Sequence, residues 1–102
     1  MSERAREMLR MLRVGEASSI YGARLAVRLG VKDSKSVQAI AMELRRMGFI
    51  IGSTGKGFFI CETREEADTY ILSLRGRIAG TQKTITALAS AVDRKWGPQA
   101  GW

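Results

Sequence analysis

Histidine is missing from this 102-residue chain, and cysteine occurs once, at Cys61. A lone cysteine excludes an intrachain disulfide, and without histidine the usual zinc ligand sets cannot be assembled. The same absence removes the commonest general base. No carboxylate pair stands out, and Ser18, Ser19 and Cys61 have no recognisable activating partner. With no catalytic constellation, the chain is expected to be neither an enzyme nor a holder of metal or cofactor. No apolar run approaches the roughly 18 residues of a membrane span. The N-terminus lacks the charged, apolar and small-residue segments of a secretory signal, so the cytoplasm is the expected location.

Acidic residues are also scarce: 17 Lys and Arg stand against 10 Asp and Glu, for a net charge of +7. The excess is uneven. Residues 1–61 hold 11 basic and 5 acidic side chains, whereas residues 62–102 hold 6 and 5. Almost all of the surplus therefore lies in the first three-fifths of the chain, as expected of a segment that faces phosphates. The composition, 45% hydrophobic and 26% charged, is that of an ordinary globular protein of one modest core.

The pattern begins with a helix over Ser2–Arg13, capped by Ser2, in which Ala5, Met8, Leu9 and Leu12 form an apolar stripe. Arg4, Arg6, Arg10 and Arg13 lie mostly off that stripe and read as a solvated face. Val14–Ser19 is a connector, and Ser19–Ile20 suits a short strand. Gly22–Leu29 is a second helix with Leu25, Ala26 and Leu29 inward, closed by Gly30 in a left-handed conformation. Arg24 and Arg28 fall one turn apart on its other face, spaced to straddle a phosphate.

After Val31 and the polar turn KDSKS, a third helix is capped by Asp33 or Ser34. Val37, Ile40, Ala41, Leu44 and Met47 make its apolar face, while Lys35, Gln38, Ala39, Met42, Arg45 and Arg46 face away. Gly48 ends it. Phe49–Ser53 and Gly57–Cys61 then read as two strands joined by Thr54-Gly55-Lys56, with Gly52, Gly55 and Gly57 supplying positive φ at the tip. Phe58 and Phe59 are expected in the core. The glycine-rich tip is not a phosphate-binding loop, because no helix follows it and no GK[ST] occurs.

Thr63 and Glu66 form a capping box for a last, long helix. Along it, Ile71, Ile78, Ile85 and Val92 fall at heptad a positions, with Leu74, Thr81 and Leu88 at d. β-branched residues at a and leucine at d favour a parallel two-stranded pair. Gly76 and Gly80 each cost about 1 kcal/mol within a helix. A kink, an antiparallel pairing or a fold-back onto the chain's own core stays open beside the homodimer. The organisation expected is a domain over 1–61, a dimerisation helix over 62–96 and a frayed tail over 97–102.

Helix, turn, helix and glycine-tipped hairpin in this order describe an α+β, mostly α fold: a winged helix-turn-helix of three helices and a β-hairpin wing, followed by a long C-terminal helix. LAVRLGV…SVQAIAMELRRMGFIIGSTGKGFFI resembles the N-terminal DNA-binding domain of the biotin operon repressor family. LGV, L-R-x-x-G before the first strand and GKGF at the wing carry that similarity. The continuation through Leu88 is similar to small phage or prophage winged-helix proteins. The resemblance implies a reading helix that includes Lys35, Ser36, Gln38 and Ala39, with Lys56 in the wing. KDSKS is one residue longer than the commonest turn of this kind, which leaves the first base-facing position open. Arg24, Arg28, Lys32, Ser34 and Arg45 complete the expected DNA-contacting set. The expected function is a dimeric double-stranded DNA-binding protein, a bacterial or phage transcriptional regulator, with no membrane or metal partner. The alternative is a winged-helix protein-interaction or assembly module, such as a phage replication or packaging adaptor.

Overall fold

A computed structural model of the chain describes residues 1–97. Two compact units divide at Tyr70, inside the last helix, rather than at Cys61. The first unit begins with α1, Glu3–Met11. Ser2 caps it as expected, its hydroxyl accepting from the Ala5 N–H at 3.1 Å. The Ser2 N–H and hydroxyl both donate to the Glu43 carboxylate, at 2.8 and 2.9 Å. This pins the start of α1 to the third helix. Helix α1 stops two residues short of Arg13, because the chain there joins the sheet: the Ile60 N–H donates to the Arg13 carbonyl and the Gly15 N–H to the Ile60 carbonyl, both at 2.8 Å.

The connector is more ordered than expected, with a single 3-10 turn at Glu16–Ser18. The expected strand at Ser19–Ile20 is reduced to a bridge in which Ile20 and Phe58 exchange backbone hydrogen bonds of 3.0 and 2.9 Å. Helix α2 spans Gly22–Leu29, and Gly30 at φ 67° lets the Val31 N–H reach back to the Ala26 carbonyl. A Cβ on Gly22 would fall 2.8 Å from that of Ser34, so the approach of α2 to the next helix at this point depends on a missing side chain.

Helix α3 spans Ser34–Arg46, and Asp33 is the residue that caps it, accepting from the Ser36 N–H at 2.9 Å. Ala5, Met8, Leu25, Val37, Ala41 and Leu44 are buried together at the centre of the unit. Met47, expected on the buried face, is 49% exposed. The helix has already ended there: Gly48 takes φ 99°, and the Phe49 N–H turns back to the Leu44 carbonyl.

That exit occupies Phe49, so β1 begins two residues later than expected, at Ile51–Thr54. It pairs antiparallel with β2, Gly57–Ile60, in the register Ile51↔Ile60 to Thr54↔Gly57. The turn is therefore Gly55-Lys56. Only Gly57 of the three hairpin glycines has positive φ, at 117°. A Cβ there would strike the Ile20 carbonyl, so Gly57 lets the Ile20 bridge pass. Gly52 serves packing instead: the Phe59 ring lies over it, and a Cβ would fall 2.5 Å from the ring's Cζ. Phe58 and Phe59 are buried, as expected.

Helix α4 runs unbroken over Arg64–Trp96, through Gly76 and Gly80. The Thr63 hydroxyl accepts from the Glu66 N–H at 3.1 Å. The reciprocal half of the capping box is displaced: Glu66 accepts from the N–H groups of Glu62 and Glu16, at 2.7 and 3.1 Å, rather than from Thr63. No residue of α4 is buried. Among the described residues, no helix is long and apolar enough to cross a membrane. The expected tail falls, beyond Gly97, outside the described residues.

Candidate nucleic-acid interface

Two concave, cation-lined recesses open on the first unit. The first, of about 400 Å³, is lined by Arg13, Ser18, Ser19, Ile20, Arg24 and Arg28. It brings together the two arginines expected to straddle a phosphate and adds Arg13, which the sequence places on a solvated face. The second, of about 410 Å³, is lined by Arg4, Gly30, Val31, Lys32, Ser36, Ala39 and Ile40. Here Lys32, Ser36 and Ala39 of the expected set lie together, and Arg4 of α1 joins them. Neither Arg4 nor Arg13 carries a linear signal of this role. Each is delivered by tertiary structure, Arg13 by the backbone bond between its carbonyl and Ile60.

The outward face of α3 is open. Lys35, Gln38, Ala39 and Arg46 are exposed, and Ser34 is exposed beside Gly22. The Ser36 hydroxyl donates to the Asp33 carboxylate at 3.1 Å, so its proton is already committed to the cap. Lys56 is exposed at the hairpin tip, its N–H donating to the Thr54 hydroxyl at 3.1 Å, and it lines neither recess.

Arg45 departs from the expected set. Its Nε donates to the Ile51 carbonyl at 2.8 Å, and its guanidinium lies 5.3 Å from the centre of the Tyr70 ring. Its Nη2 is buried without a hydrogen-bond partner among the described residues. A guanidinium clamped between the entry to β1 and the start of α4 is a brace within the domain, and is not presented to a duplex. The cause is its place in the last turn of α3, where the chain doubles back towards Ile51.

Acidic and basic side chains differ in how they are engaged. Several carboxylates are engaged internally: Glu3 and Glu7 pair with Arg6 and Arg10, Asp33 caps α3, and Glu43 and Glu66 hold backbone N–H groups. The backbone N–H and hydroxyl of Ser2 hold the Glu43 carboxyl below the usual glutamate range. By contrast, Arg13, Arg24, Arg28, Lys32, Lys35 and Lys56 form no ion pair among the described residues. Glu16, Glu62 and Glu65 are likewise outside the ion pairs, so the uncommitted charge is mainly, not wholly, positive. Cys61 is half-buried, and burial and the nearby Glu66 push its thiol up.

On α4, Ile71, Ile78, Ile85 and Leu88 of the expected seam are exposed apolar side chains, Thr81 is also exposed, and Leu74 and Val92 are half-buried. Comparison of the chain with protein-family models, with curated proteins and with solved structures gave no match.

Proposed function

We propose that this chain is a double-stranded DNA-binding protein of the winged helix-turn-helix type, acting as a homodimer to regulate transcription in a bacterium or phage. The observation that carries the reading is the open face of α3, which starts at the Asp33 cap beside cations that have no ion-pair partner among the described residues. An α-helix of this kind fits the major groove, and small or polar side chains near its N-terminus, here Lys35, Gln38 and Ala39, are the ones that reach base edges. Lys32, Arg24, Arg28 and Lys56 would then meet phosphates. In this reading the β1–β2 hairpin is the wing.

The apolar stripe of α4 supports the dimer. A row of isoleucines and leucines repeating at heptad spacing, with Ile78 at 71% exposure, is an association surface. A twofold dimer reads half-sites about one helical turn apart. The same unburied helix is the specific observation favouring the second reading, a protein-interaction or assembly module.

Titration of duplex DNA with the wild-type chain and with the Lys35→Ala, Gln38→Ala double variant separates the two readings. The DNA reading expects salt-sensitive binding by the wild type and reduced sequence discrimination by the variant. Absence of binding at low salt would leave the interaction module as the better account.

A further inference from the structure

We propose that the recess between Arg13, Arg24 and Arg28 is a binding site for a single phosphate group, whether a diester of a DNA backbone or a free phosphate. Three arginines line one concavity, where like charges repel, and no carboxylate lines it to offset that repulsion. None of the three has an ion pair among the described residues. Elsewhere on the same domain the chain does neutralise arginine with a neighbouring glutamate, as at Glu3–Arg6 and Glu7–Arg10. The recess is thus left cationic where pairing was within reach of the same chemistry.

Its remaining lining matches a tetrahedral oxyanion. Guanidinium N–H groups form parallel bonds to phosphate oxygens. The Ser18 hydroxyl has no partner among the described residues and is free to donate. The Ser19 hydroxyl already donates to the Glu16 carbonyl, which fixes the 3-10 turn as one wall. Ile20 and Arg24 flank the start of α2, where Tyr21 supplies no side-chain cap, so the helix's positive end lacks its usual partner. The second recess is the weaker candidate. It has two cations rather than three, and its Ser36 hydroxyl is bound to a carboxylate.

The walls are built from three separate pieces of chain: the exit of α1, the 3-10 turn and α2. The bridges from Arg13 and Gly15 to Ile60, and from Ile20 to Phe58, hold those pieces in place. The site is therefore preformed, and its occupation needs no refolding.

The test has two arms, of which only the second rests on the DNA reading. In the first, the arginine Nε–Hε resonances of the full chain are followed as inorganic phosphate replaces chloride at constant ionic strength. Arg13, Arg24 and Arg28 should move together along one saturating curve, while exposed Arg46 stays still. In the second, the salt dependence of duplex binding is compared for wild type, for Arg13→Gln, Arg24→Gln and Arg28→Gln singly, and for the triple variant. One shared phosphate predicts that the slope of log K against log salt falls by about 0.9 in the triple variant, and by no more in any single one. A saturating phosphate response with an unchanged DNA slope would identify free phosphate as the ligand. A shared loss of slope would identify the backbone diester. A triple variant that loses about three times that slope would show three separate contacts and overturn the single site. So would the lack of both a phosphate-specific shift and any change in slope. Failure to bind DNA at all would defeat the DNA reading only, and the phosphate arm would then decide the site by itself.

Discussion

Gly57 sits where the backbone of Ile20 crosses the hairpin, and its φ of 117° is one that side chains rarely adopt. Gly57→Ala should therefore destabilise the domain by about 1–3 kcal/mol, from backbone strain with collision added. Thermal unfolding checks this, with a loss of several degrees expected. Glu43 gives a pH-dependent counterpart. Because its carboxyl is held low in the folded state, its contribution is fully present above the ordinary glutamate range and fades as pH falls through the folded value. Glu43→Gln should accordingly flatten the acid limb of stability against pH, measured by denaturant titration from neutral pH downwards. An unchanged acid limb would show that the Ser2 contact contributes nothing. The residue scale was partly legible in the sequence. Glycines at a hairpin announce a tight turn, but which of Gly52, Gly55 and Gly57 takes positive φ depends on the bridge that Ile20 makes to the hairpin. Arg45 looked outward by helical spacing, and only the return of Ile51 towards it turned it inward.

At the scale of elements, helical periodicity located α1, α2 and α3 to within two residues at each end, because their buried stripes follow one face. Ends were less legible, since they depend on what the chain must do next. Helix α1 stops early so that Arg13 can pair with Ile60, and β1 starts late because Phe49 closes α3. The heptad of α4 was readable, but what covers it was not, because periodicity marks an apolar face without naming the surface that meets it. Replacing Ile78 and Ile85 by Asp tests the dimer reading. The variant should sediment as a monomer at concentrations where the wild type is dimeric, and should keep its thermal transition, since neither residue is buried in the monomer. A wild type that is already monomeric would remove the coiled-coil seam. Arg45→Ala tests the brace: with the Ile51 carbonyl and Tyr70 losing their partner, a cost of about 1–3 kcal/mol is expected, again by denaturant titration.

Across the whole molecule, charge and shape coincide. Residues 1–61 carry a net +6 of the total +7, and most unpaired cations of that segment line two recesses or the outward side of α3, with Lys56 at the hairpin tip. The sequence revealed the charge asymmetry and the helical face. It could not reveal that Arg4 and Arg13 join the basic surface, because their neighbours come from other elements. The central claim is that this surface reads duplex DNA, and the most direct measurement is selection from a random duplex pool at stepped salt, with the bound fraction sequenced. The claim expects affinity that falls steeply with salt and an enriched inverted repeat, its halves about one helical turn apart. No retention of duplex even at low salt would contradict it.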